Sequence, residues 1–143
     1  MLFRSADFVR MCESANVSKQ CYANSDYYIE HWTRIALGST SERDRMRALR
    51  RLSGVSWLTA SVFLHYTFEN EYPILAQGVL WSWGYDHKPE LNFDFWWAYV
   101  QASRALCSEC NVTMRTLDRA LRQYAIEQAA GSSAGHGASS LNP

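Results

Sequence analysis

Apolar residues recur along this chain at intervals of three and four, with stop signals between the runs and only weak strand signals, so an all-α domain is predicted. Residues 5–16 read as a first helix with Phe8, Val9 and Cys12 on one side and Ser5 as its N-cap. A second helix spans about 26–37, where Tyr28, Ile29, Trp32, Ile35 and Ala36 form an apolar stripe and Gly38 supplies a left-handed cap. Ser39 and Glu42 stand in capping-box relation ahead of a third helix, whose inner face is Met46, Leu49 and Leu52. Ser56 then caps a fourth, which turns Ala60, Phe63 and Leu64 or Val62 inward. Residues 67–73 break the pattern, and a short helix over 75–83 ends at Gly84. A polar linker over 85–91 leads to Asn92, the N-cap of a long helix through Phe93, Trp96, Trp97, Val100 and Cys107. Asp94 in its first turn suits the helix dipole. Thr113 caps the last helix, with Met114, Leu117, Leu121 and Tyr124 along one face. Linker-like composition follows, so residues 1–130 are expected to form one all-α domain and 131–143 a flexible tail.

Composition narrows the partners. Fourteen positive and fourteen negative side chains cancel, so no global field draws in nucleic acid and any such binding must come from a local patch. One patch is visible: Arg43, Arg45, Arg47, Arg50 and Arg51 crowd the third helix and its exit, opposed locally only by Glu42 and Asp44. Six tryptophans and eight tyrosines point to a ring-rich core. Trp81, Trp83, Trp96 and Trp97 belong there on burial tendency, with stacking on an unpaired base as the alternative. The run 52–68 is too short and too polar for a membrane span. Arg4, Asp7 and Arg10 leave no secretory signal at the start, and Cys12, Cys21, Cys107 and Cys110 are expected to be reduced in the cytoplasm.

The richest local signal is Leu52-Ser53-Gly54-Val55-Ser56-Trp57-Leu58-Thr59-Ala60, a Gly-containing turn between the arginine-rich helix and an apolar one. Such a turn aims backbone N–H groups at one point, where a phosphate can sit without base-specific contacts. The segment resembles the L-x-G-V-G-x-x-T-A hairpin of the helix-hairpin-helix DNA glycosylases related to endonuclease III, the enzymes of base-excision repair; Ser56 is the departure. The resemblance implies that Gly54 and Ser56 bracket a phosphate of duplex DNA, that Val55 anchors the hairpin in the core, and that Arg50, Arg51 and Arg47 help. It covers about residues 41–83. Spacing from Gly54 puts Ala76 where those enzymes carry the catalytic aspartate, and Leu58 where members with lyase activity carry a lysine. An alanine neither activates water nor stabilises positive charge on a sugar. A truncated or degenerate relative that binds DNA without sequence preference and without turnover is therefore expected.

Two other readings remain open. Another carboxylate could serve catalysis in an active monofunctional glycosylase, the nearest in sequence being Glu69, Glu71 and Asp86. Alternatively, the arginine-rich helix and aromatic surfaces make a helical protein-interaction module with no DNA binding. No metal or other cofactor is expected: Cys107 and Cys110 have C-x-x-C spacing but lack two more ligands, and His31, His65, His87 and His136 include no i, i+4 pair. His65 is expected at a polar edge, and His136 in the tail. Nothing in the sequence sets an oligomeric state.

Overall fold

The computed structural model describes residues 5–14, 19–85 and 87–135. Among these, seven α-helices and one short 3-10 helix occur without a strand. In chain order they are α1 (Ser5–Ser14), the 3-10 helix (Lys19–Ala23), α2 (Asp26–Gly38), α3 (Glu42–Leu49), α4 (Trp57–Thr67), α5 (Gln77–Ser82), α6 (Phe93–Cys110) and α7 (Met114–Gly135). α2 packs on α3, α1 touches α2 and α4, and α7 lies against α5 and α6. At the centre is α4, apolar on all sides and buried at every residue from Thr59 to His65. Trp96 stacks on Tyr72 with centroids 6.1 Å apart, and Phe8 on Phe63 at 5.2 Å.

Caps set the helix starts. Ser56 Oγ accepts from Thr59 N, Asn92 Oδ1 from Phe95 N and Thr113 Oγ1 from Thr116 N, as their positions predict. Three expectations need correction. Gly38 is not left-handed; it is the last residue of α2, and the positive-φ glycines are Gly54 and Gly84. Ser41, not Ser39, caps α3 by accepting from Asp44 N, while Ser39 Oγ accepts from Ser41 N instead. α2 buries Ile29, Thr33 and Ala36, which leaves Tyr28 and Ile35 exposed rather than in its apolar stripe. Further on, α7 continues through Gly131 to Gly135; residues 136–143, with His136, lie outside the described residues.

One arginine ties three elements together. Arg45 is buried, and its Nε donates to Ala36 O at the end of α2 while its terminal nitrogens donate to Ser39 O, Glu42 Oε1 and the Tyr72 hydroxyl. The Tyr72 hydroxyl in turn donates to Glu42 at 2.8 Å. Burial first, and then the Glu42 carboxylate, pushes the Tyr72 phenol up to about 12, so it stays protonated.

From Tyr72 to Leu75 the chain is buried without being helical, and side chains satisfy its backbone and that of the exposed Glu71 before it. Arg104 Nε donates to Glu71 O at 2.7 Å, His65 Nδ1 to Tyr72 O at 2.7 Å and the Tyr99 hydroxyl to Ile74 O at 3.0 Å, while Ser61 Oγ accepts from Leu75 N at 2.8 Å. His65 is thus a buried strut, not the polar-edge residue expected. Tyr72 to Leu75 form a fixed strap that delivers Ala76 to the start of α5.

The turn between α3 and α4 is braced from below. Gly54 has φ +78°, and a Cβ there would lie 2.8 Å from both Cys21 N and Cys21 Sγ. Asn24 clamps the neighbouring residue, donating from Nδ2 to Ser53 O at 3.0 Å and accepting Ser53 N at 2.8 Å. Val55 is buried, and its N–H is used by Leu52 O. Gly54→Ala therefore meets both a strained backbone and a clash, and should lower stability in urea unfolding by about 2 kcal/mol or more. Gly38→Ala, in helical conformation with nothing within 4 Å of the added carbon, should be neutral or stabilising by up to about 1 kcal/mol.

Candidate functional site

Four arginines converge beside the start of α4. Arg43, Arg47, Arg50 and Arg51 line an open pocket of about 510 Å³ together with Trp57 and Phe93. The helical period accounts for the grouping: Arg43, Arg47 and Arg50 recur at steps of four and three on the outer face of α3 and its exit, whereas Arg45 falls on the buried face. Three of the four lie over aromatic rings, Arg43 over Phe93 at 4.1 Å, Arg50 over Trp57 at 4.3 Å and Arg51 over Trp32 at 5.6 Å. Such stacking holds a guanidinium in place without consuming its donors. Carboxylates answer two of them weakly. Arg43 faces Asp94 and Arg47 faces Asp44, at 3.4 Å and 3.3 Å, and all four side chains are more than half exposed. Exposed pairs of this kind contribute little and exchange readily for a stronger anion. The first turn of α4 adds the positive end of a helix dipole through Trp57.

Of the arginine patch the sequence singles out, the structure brings Arg43, Arg47, Arg50 and Arg51 into this pocket and takes Arg45 out of it into the core; Arg43 is not among the three arginines that the resemblance implies. Ser56 is exposed at its edge of the turn, next to Trp57. Gly54 is half-buried against Cys21, and Val55 sits in the core. Phe93 comes from α6 and is invisible to any local pattern.

A second pocket, about 210 Å³, lies on the other side of the same helix start. Leu58, Thr59, Val62, Tyr66, Ile74, Leu75, Ala76 and Arg122 line it. Leu58 and Ala76, far apart in sequence, thus share one small pocket. No carboxylate stands on its wall among the described residues; its single charge is Arg122. Glu69 lines a different pocket with His65, Asn70 and Arg115, Glu71 is exposed, and Asp86 lies outside the described residues.

One carboxylate that the sequence reading did not single out is tied to this pocket through Arg122. Asp118 is buried on α7 and holds Arg122 at 3.4 Å through Oδ2, while Oδ1 has no hydrogen-bond partner among the described residues. Desolvation raises its pKa, and the charges of Arg122 and His65 oppose that only in part. Its i, i+4 relation to Arg122 was readable; its burial was not.

The four cysteines are free thiols. Cys12 and Cys21 are buried side by side, and burial together with Cys21 pushes Cys12 up to about 12. Cys107 Sγ lies 3.9 Å from Met114 Sδ. No group of three or more metal-ligating side chains occurs among the described residues, and none of their helices is long and apolar enough to cross a membrane. Trp96 is buried as expected, but Trp81 is 42% exposed and meets the ring of Tyr124, itself half exposed. Comparison with models of known families, with curated proteins and with solved structures finds no match.

A raised carboxyl pKa means that the folded state holds the Asp118 proton more tightly than the unfolded chain does. Its contribution to stability is therefore present below the ordinary carboxylate range and is lost as pH rises through the raised value. Asp118→Asn should be more stable than the parent at neutral pH, and urea midpoints should show that advantage shrinking as the solution is acidified.

Proposed function

We propose that this chain binds duplex DNA through the phosphate backbone, with little dependence on sequence, and does not cleave glycosidic bonds. The convergence of Arg43, Arg47, Arg50 and Arg51 on one pocket at the start of α4 carries the reading. Phosphate contacts from arginine position a duplex without reading its bases, and three of these guanidiniums already lie over rings. A zero net charge does not oppose this, because the fourteen negative side chains are spread along the chain while four exposed arginines fall within residues 43–51. The resemblance of residues 52–60 to the glycosylase hairpin supports the same partner. Absence of turnover follows from the cavity shared by Leu58 and Ala76, which offers neither a lysine for imine chemistry nor a carboxylate for water activation.

Fluorescence anisotropy of a labelled duplex tests this directly. Three or four phosphate contacts should give a slope of log affinity against log salt of about −3 to −4. Arg50→Gln and Arg43→Gln should each flatten the slope by about 1 and weaken binding to unrelated sequences equally. Binding insensitive to salt and to both variants would overturn the reading in favour of a protein-interaction module.

Base release provides the second check. The parent should leave no abasic sites in damaged duplexes, whereas accumulation of such sites would show that another carboxylate, such as Asp118, serves catalysis. Ala76→Asp adds a carboxylate to the wall that already carries Arg122, and slow base release from at least one lesion in a panel is the expected gain.

A further inference from the structure

The arginine pocket does not end at Arg51. This residue lines the pocket, and its guanidinium also lies 5.6 Å from the ring centroid of Trp32 on α2. Trp32 meets Tyr28 edge-on at 6.1 Å and His31 edge-on at 5.0 Å. Tyr27 then lies along His31, the two rings 6.0 Å apart and 21° from parallel. Tyr27 is 75% exposed and Tyr28 is 39% exposed. Four rings thus extend the cationic pocket as an aromatic face.

Helical geometry sets the character of that face. α2 buries the stripe Ile29, Thr33 and Ala36. At 100° per residue Tyr28 and Trp32 flank the stripe on the side of Arg51, with His31 and Tyr27 next round the helix, while Asp26 and Glu30 fall on the opposite flank, about half a turn from Tyr28 and Trp32. Trp32 therefore adjoins Arg51, and Tyr28 and Trp32 turn away from the carboxylates of their own helix, while Tyr27 at the far end of the face lies one turn before Glu30.

We propose that this face takes the unpaired bases of a single strand that continues out of the duplex held by the arginine pocket. The inference rests on the phosphate-binding reading and extends it from the backbone to a preferred substrate, a junction between double and single strand. Bases within a duplex have both faces covered by their neighbours, so only an unpaired base can offer a face to Tyr27 or Tyr28. Arg51, poised between pocket and rings, suits the phosphate at the junction. Alternating cations and aromatic faces are what a flexible, negatively charged strand of flat rings requires, and stacking of this kind tolerates any base.

Three labelled oligonucleotides test the proposal by anisotropy: a blunt duplex, the same duplex with a short single-stranded extension, and one whose extension carries sugars and phosphates but no bases. The base-bearing extension should bind about tenfold more tightly than the base-free one. A Tyr27→Ala, His31→Ala double variant, altered only at exposed side chains, should lose that difference while its affinity for the blunt duplex is unchanged. Equal affinity for the two extensions, with the blunt duplex still bound, overturns this inference alone. A difference that survives in the double variant also overturns it, because the bases then stack elsewhere. Failure to bind all three overturns the duplex reading and this inference with it. Binding confined to the base-bearing extension and lost in the double variant upholds the aromatic face and overturns the duplex reading.

Discussion

The buried guanidinium of Arg45 is the constraint on which the rest of the architecture hangs. A permanently charged group taken out of water is tolerable only if its donors are met, and they are met by the end of α2, by the start of α3 and by the Tyr72 hydroxyl. Phe68 and Tyr72 add ring faces at 4.7 Å and 5.9 Å. Any shift of these elements strands a charge in the core, so the angle between α2 and α3 and the path of the chain after α4 are set together. The price is a sequence that cannot exchange arginine for lysine here, since a point charge cannot reach carbonyls, carboxylate and phenol at once.

From that knot the two pockets follow. With Arg45 turned inward, the other arginines of α3 and its exit are left on the outer face, where Phe93 and Trp57 give two of them a floor. With Tyr72 fixed, the strap to Leu75 is held by His65, Ser61, Tyr99 and Arg104, and Ala76 arrives beside Leu58. Polar side chains that look incidental in sequence thus complete the backbone of a buried, irregular segment. The surface cations and the second pocket are outcomes of one internal arrangement.

Features that depend on residues three or four apart were legible. The caps at Ser56, Asn92 and Thr113, the helical class and the inner face Met46, Leu49 and Leu52 all belong to this kind. Two serines near one helix start defeated the reading of α3, because Ser39 and Ser41 both satisfy local capping logic and only the observed bonds choose Ser41. Arg45 looked like its neighbours since charge says nothing of which face a residue occupies. Tyr28 and Ile35 looked like core because the width of a buried stripe is decided by the partner helix. Phe93, Cys21 under Gly54, and Asp118 beside Arg122 required contacts across the fold. The small residues at the end of α7 carried linker composition, yet the helix runs on to Gly135, its last turns continuing a register begun by Met114 and Leu117 in the core.

The start of α4 has a property that neither pocket has alone. Trp57 lines the arginine pocket, and the next two residues, Leu58 and Thr59, line the smaller one. Successive helical residues point about 100° apart and move as one body, so the two cavities share a single rigid partition. An anion that drew the first turn of α4 toward the arginines would reshape the pocket behind it. Occupants coupled in that way would alter each other's affinity by the same factor, by thermodynamic reciprocity.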